Sequence, residues 1–191
     1  MALDLVARAA AVLESRGLTP PVLVGGAATE LYSGGEISSS DFDLVTTHQG
    51  ELLDELRRLG FEWRSAHVGR MVVHPTLGYV VEVVGSWLMD GRAEPGRERT
   101  FDLGAGLLVN VIGIEDLIAD RMGQAFSRPF DDAPIEDRKN QALRLWQIAS
   151  GIVPAIDATY LDRRIREETI NSASLETLRR WNDDDRDHQA R

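Results

Sequence analysis

Asp41 and Asp43, separated only by Phe42 in the run Asp41-Phe42-Asp43-Leu44-Val45, have the type and spacing to hold a divalent cation. Along an extended strand successive side chains leave opposite faces, so the two carboxylates share one face about 7 Å apart while Phe42 and Leu44 point into a core. Mg2+ favours oxygen ligands, and one or two carboxylates completed by substrate phosphate oxygens are enough to hold it. A phosphate-binding element stands just upstream. Val22-Leu23-Val24 reads as a short buried strand, Gly25-Gly26 as a sharp turn, and Ala27 to Tyr32 as a helix beginning behind the glycines. Unpaired N–H groups at a helix N-terminus favour an anion. Neither half is specific alone: Asp183 and Asp185 repeat the acidic spacing in a polar tail, and Gly-Gly is commonly a plain turn. Their succession in one stretch points to metal-assisted chemistry on a phosphate.

A third acid, Glu82, stands inside the apolar run Tyr79-Val80-Val81-Glu82-Val83-Val84. A carboxylate buried without a partner is costly or loses its charge, so Glu82 needs a cation shared with Asp41 and Asp43, an arginine, or a solvent-facing edge position. Ser38, Ser39 and Ser40 can donate to phosphate oxygens, although serines in a polar loop are ordinarily just solvated. Other apparent motifs fail. The glycine spacing from Gly91 to Gly96 matches a P-loop, but Arg97-Glu98 replace the required Lys-Ser/Thr, and Gly104-Ala105-Gly106 lacks the third glycine of a dinucleotide fingerprint. His48, His67, His74 and His188 have no metal-ligand spacing, and no Gly-x-Ser-x-Gly elbow occurs.

The elements that must position these residues follow in order. Residues 3–16 carry Leu5, Ala9, Val12 and Leu13 on one stripe, which predicts an amphipathic helix ended by Gly17; Thr19-Pro20-Pro21 then breaks the chain. Gly34 to Ser40 is a polar loop. After the acidic strand, Thr46 or Thr47 is positioned to cap a helix from Gln49 to Leu59, closed by Gly60. Phe61 to Ala66, Met71 to His74 and Tyr79 to Val84 read as extended, with a turn at Pro75 to Gly78. Gly85 to Gly96 is turn-rich, and Arg99–Leu103 with Leu107–Ile112 forms a hairpin. From Ile114 the pattern becomes helical, with Leu117, Ile118, Arg121, Met122 and Ala125 on the core side and Asp116, Asp120 and Gln124 away from it. A loop over Ser127 to Pro134 precedes helices at Ile135–Ser150, Ala158–Thr169 and Ser174–Trp181. The expected organisation is a core over 1–112, a helical region over 113–182 and a disordered tail over 183–191.

Composition narrows the function classes. The 191 residues include no cysteine, which excludes disulfides, thiol nucleophiles and thiolate metal sites. Hydrophobic residues make up 43% of the chain, enough for a real core, yet no run approaches a membrane span and no signal-peptide pattern opens the chain; a cytoplasmic protein is expected. A net charge of −10 without a basic block disfavours broad DNA binding. Lys139 is the only lysine, and the arginine bias reads as compositional.

Val24-Gly25-Gly26 followed by Asp41-Phe42-Asp43-Leu44 resembles the signature of the DNA polymerase beta type nucleotidyltransferase superfamily. Within it the chain is most similar to small bacterial nucleotidyltransferases of abortive-infection and toxin-antitoxin systems. Those proteins often carry a Glu-Asp-Leu-Ile-x-Asp-[Lys/Arg] helix, matched here by Glu115 to Arg121, and an acidic helix like Asp137 to Leu143. The resemblance implies an α+β fold: a mixed β-sheet flanked by helices, then a C-terminal helical region. It implies transfer of a nucleoside monophosphate from an NTP to an acceptor hydroxyl, with Mg2+ or Mn2+ held by Asp41 and Asp43. It makes Glu82 a third metal ligand or general base. It sets Gly25, Gly26, Thr29 and Ser39 at the nucleotide, with Arg121 touching the triphosphate or, equally, forming a structural ion pair. Ile37 and Ser39 depart from the Arg and Thr frequent in such proteins, and the spacer from Gly26 to Asp41 is slightly long. A protein, an RNA end and a small molecule stay open as acceptors, and an antitoxin-like protein as partner. The alternatives are a catalytically degenerate relative acting as a regulatory partner, in which Glu82 faces away from the aspartates, and a phosphohydrolase, for which no convincing ligand set exists.

Overall fold

The computed structural model describes residues 2–64, 71–127, 135–151 and 155–189. The end of the extended segment expected to reach Ala66, together with His67 and the loop expected at 128–134, lies outside the described residues. The chain divides into two compact units, one made of Met1–Glu30 with Ser38–Gly113 and one of Leu31–Ile37 with Ile114–Arg191.

The first unit opens with α1 (Ala2–Ser15) and β1 (Val22–Val24), from which α2 (Gly25–Tyr32) starts directly. Then come β2 (Asp41–Val45), α3 (Gln49–Arg58), β3 (Glu62–Trp63), β4 (Met71–Val73), β5 (Val80–Gly85), β6 (Arg99–Asp102) and β7 (Leu108–Val111). Among the described residues these strands form one seven-stranded sheet in the order β3-β4-β5-β2-β1-β7-β6. The sheet is mixed: β2 runs parallel to β5 and antiparallel to β1, and β1 runs parallel to β7.

One face of this sheet is the core. Leu23, Phe42, Leu44, Val72, Val81, Val83, Val109 and Val111 are all buried, and α1 packs on β7 and α3 while α3 also meets β4. The helices follow their patterns in part, since Leu5 and Val12 of the expected α1 stripe are only half-buried. Val6, Ala9, Ala10 and Leu13 of α1 are buried at helical spacing, as are Leu52, Leu53 and Leu56 of α3. Both helices end on a left-handed glycine that satisfies their last carbonyls. Gly17 (φ 75°) donates to Glu14 O and Leu18 to Leu13 O; Gly60 (φ 100°) donates to Arg57 O and Phe61 to Leu56 O. The start of α3 differs from expectation. His48 occupies the cap position without a side-chain bond, and Thr46 is buried, its hydroxyl accepting from His48 N at 3.0 Å.

The second unit holds α4 (Ile114–Phe126), α5 (Ile135–Ala149), α6 (Ala158–Glu168) and α7 (Leu175–Gln189), with α4 packed on α5 and α6, and α7 on α5 and α6. α7 runs beyond Trp181 to Gln189, so residues 183–189 are helical where the sequence predicts a disordered tail. Asp157 caps α6, accepting from Thr159 N and Tyr160 N at 3.1 and 3.0 Å. Asp116, expected away from the core, is 1% exposed. Polar partners explain its burial: Arg164 Nε lies 2.7 Å from its Oδ1, and the Tyr160 hydroxyl donates to its Oδ1 and Oδ2 at 2.9 and 2.8 Å. Burial works against the Arg164 charge, yet hydrogen bonds to Asp116, Glu167 and Glu168 hold its pKa above the ordinary value. Glu36 binds Arg144 through two 2.6 Å bonds and tacks the Leu31–Ile37 segment to α5.

Candidate active site

The face of the sheet opposite the core is the more open one, and the acids emerge there. Exposure alternates along β2: Asp41 is exposed, Phe42 buried, Asp43 half-buried and Leu44 buried, as the strand period dictates. In β5 Val81 and Val83 are buried and Glu82 between them is half-buried. Asp43 is the register partner of Glu82 in the parallel pairing of these strands. Register partners on adjacent strands lie about 5 Å apart and point to the same face. Asp41, Asp43 and Glu82 therefore share one open face. Glu82 stands on an interior strand, with Met71 of β4 as its register partner on the other side, so it is not an edge residue.

The glycine turn reaches this face from β1, whose Val24 is the antiparallel register partner of Asp43. Gly25 has φ 67°, and a Cβ built on it would stand 2.3 Å from Asp43 Oδ2. Only glycine lets the backbone pass so close to that carboxylate. A Cβ on Gly26 would stand 2.8 Å from Ser39 Oγ. Helix α2 thus starts at Gly25, two residues earlier than the sequence predicts. Thr29 is fully buried, and its hydroxyl donates to Gly25 O at 3.1 Å, bracing the turn from within the helix.

The serines before β2 are not simply solvated. Ser39 Oγ donates to Asp41 O at 3.1 Å, and Ser40 Oγ lies 3.4 Å from Asp41 Oδ1. Ser39 N donates to Glu30 Oε2 at 2.7 Å. Glu30 has no motif spacing to announce it; the fold alone brings the end of α2 back to Ser39. Arg121 lies in the helical unit, 3% exposed, with Nη1 3.1 Å from Gln124 Oε1 and Nη2 3.4 Å from Asp120 Oδ2.

The donor set suits a hard divalent cation, because it consists of carboxylate oxygens on one face with a backbone turn against one of them. Among the described residues no group of three or more aspartate, glutamate or histidine side chains is gathered so as to hold a metal ion. Mg2+ does not require one, since it commonly takes one or two carboxylates and completes its shell with water and substrate phosphates.

No protein-family model and no curated protein matches the chain. Solved structures do. An antigenic nucleotidyltransferase-like protein from Paracoccidioides brasiliensis superposes with a TM-score of 0.59 at 19% identity, covering 91% of this chain and 89% of its own. The antibiotic-resistance factor ANT(2'')-Ia, solved in solution, superposes with a TM-score of 0.55 at 20% identity over 90% of this chain and 93% of its own. ANT(2'')-Ia in complex with adenylyl-2''-tobramycin gives a TM-score of 0.58 at 19% identity over 91% of this chain and all (100%) of its own. The fold is therefore nucleotidyltransferase-like, an α+β architecture with a mixed sheet.

Proposed function

We propose that this chain is a Mg2+- or Mn2+-dependent nucleotidyltransferase that moves a nucleoside monophosphate from an NTP to an acceptor hydroxyl. The observation that carries the reading is the Gly25 backbone lying against the Asp43 carboxylate while Glu82 stands in register beside it on the same open face. An anion-favouring turn next to paired carboxylates is what a metal–triphosphate needs.

In this reading the acceptor oxygen bonds to the α-phosphorus as the bond from that phosphorus to the β-bridging oxygen breaks. Pyrophosphate leaves with the electron pair. The cation, when bound, neutralises triphosphate oxygens and polarises the α-phosphorus. Asp41 and Asp43 would hold it, with Ser40 Oγ beside the Asp41 carboxylate and the Gly25 backbone packed on Asp43. The Gly25 and Gly26 backbone at the start of α2 would cradle the β- and γ-phosphates. Glu82 would complete the metal shell or take the acceptor proton. Ser39 supports the turn and Thr29 braces it from behind, while Arg121 pairs with Asp120 and Gln124 within the helical unit. The work is positioning and charge stabilisation.

A degenerate, non-catalytic relative is the rival reading, and it expects Glu82 to face away from the aspartates; the register of Glu82 with Asp43 favours the enzyme. For the acceptor, a net charge of −10 and the neighbour holding adenylyl-2''-tobramycin support an adenylyl donor and a cationic small alcohol over an RNA end or a protein hydroxyl. The toxin-antitoxin or abortive-infection setting, with an antitoxin-like partner in the cytoplasm, rests on the motif resemblance. No described helix is long and apolar enough to cross a membrane.

The test is label transfer from each α-labelled NTP, with Mg2+, to a panel of aminoglycosides, tRNA and bacterial protein. Wild type should label one class, and Asp41→Ala/Asp43→Ala should lower the rate at least about a hundredfold, as loss of a metal's ligands does to transition-state charge stabilisation. Equal labelling by the double variant would refute the assignment.

A further inference from the structure

We infer that Glu30 is a positioning residue of this site: its carboxylate closes the connection between the glycine turn and the acidic strand and so sets where Asp41 stands relative to Gly25-Gly26. The inference rests on the nucleotidyltransferase reading for its functional consequence, though not for its geometry.

The connection from α2 to β2 is a problem of chain entropy. It contains Gly34 (φ 63°) and Gly35 (φ 89°) and three consecutive serines, residues that by themselves leave the backbone free to wander. A loop of this composition would leave Asp41, the first residue of β2, poorly placed. The Glu30 Oε2 to Ser39 N bond of 2.7 Å spans the loop where it leaves the helix and where it joins the strand. It is a charge-assisted bond to a backbone donor, among the stronger kinds available to a half-buried loop.

What Ser39 then touches makes the placement matter. Its hydroxyl donates to Asp41 O at 3.1 Å, and its Oγ lies 2.8 Å from where a Gly26 Cβ would be. Ser39 is therefore wedged between the glycine turn and the metal-binding strand, and Glu30 holds Ser39. Within the loop Ile37 N donates to Ser33 Oγ at 3.2 Å and Glu36 N to Ser33 O at 3.4 Å, so the segment is compact once its ends are joined. Glu30 reaches no reacting atom in this scheme; it acts through Ser39 on the geometry between an anion cradle and a cation ligand.

The experiment compares wild type, Glu30→Ala and Glu30→Gln by amide hydrogen exchange at Ser39 and Asp41 and by calorimetric titration with Mg2+·ATP. The glutamine variant keeps an oxygen acceptor without the charge. For Glu30→Ala, Ser39 exchange should speed up and ATP affinity fall by about tenfold or more, the scale of one charge-assisted hydrogen bond. Glu30→Gln should recover most of both. Unchanged Ser39 exchange in a folded Glu30→Ala variant overturns the clamp, and faster exchange with wild-type affinity overturns its positioning role. If wild type itself binds no ATP, the nucleotide reading fails, while the exchange data still decide whether Glu30 fastens the loop. Should Glu30→Ala not fold, Glu30→Gln decides: it must show wild-type or intermediate protection at Ser39, and full loss of protection would contradict an acceptor role for this side chain.

Discussion

The contact between Gly25 and Asp43 concentrates the account in two residues. One supplies a backbone that no side chain could replace, and the other a carboxylate whose position that backbone limits. Gly25→Ala tests it. The new methyl meets Asp43 Oδ2, and the left-handed φ of 67° strains any alanine, so stability should fall by about 1–2 kcal/mol from the backbone alone. Nucleotidyl transfer should fall much further than that loss explains, by about a hundredfold at a temperature where the variant is folded. Thermal melts and rate assays on the same preparation separate the effects. At this scale the sequence was informative where chemistry is repeated in a pattern. The Asp-x-Asp spacing and the Gly-Gly pair were legible, and strand period alone put both aspartates on one face. Glu30 and the bonded roles of Ser39 and Ser40 were not, because they depend on where the connection between Tyr32 and Asp41 returns, which no local pattern encodes.

Among the elements, the strands and helices fell close to their patterns because period-2 and period-3.6 burial is a strong signal over even short runs. The misses have physical causes. The helix after the glycines starts at Gly25, over residues that read as a turn, and the Thr29 hydroxyl bonds back to the Gly25 carbonyl there. Asp116 reads as a surface acid because a single carboxylate gives no sign that Arg164 and Tyr160, more than forty residues on, will bury it. That network fastens α4 to α6. Arg164 is fully buried and bonded to Asp116, Glu167 and Glu168, so every charge in it depends on another. Tyr160→Phe removes one donor from a buried carboxylate without opening a large cavity and should cost about 1–3 kcal/mol, read by denaturant unfolding. The NTP affinity of the folded variant should stay within about twofold of wild type, since the change lies in the helical unit's own packing. A loss of affinity without a loss of stability would mean that this network serves the nucleotide and not the fold.

For the whole molecule, composition sets limits that the fold respects: the chain has no cysteine and a net charge of −10, and its acids include the three that share the open face of the sheet. The nucleotidyltransferase-like fold was legible from one motif because strand, glycine turn and acidic strand are adjacent both in sequence and in the sheet. The acceptor was not, since a pocket for it needs no repeated residue type. Binding of the donor does not depend on knowing the acceptor, which makes it the most direct measure of the central claim. Calorimetric titration of the four ribonucleoside triphosphates with Mg2+ should show binding to wild type that disappears without the metal and in Asp41→Ala/Asp43→Ala, with the preferred base identifying the donor. Absence of binding to well-folded wild type, or undiminished binding by the double variant, would contradict the account and make a non-catalytic partner the better reading.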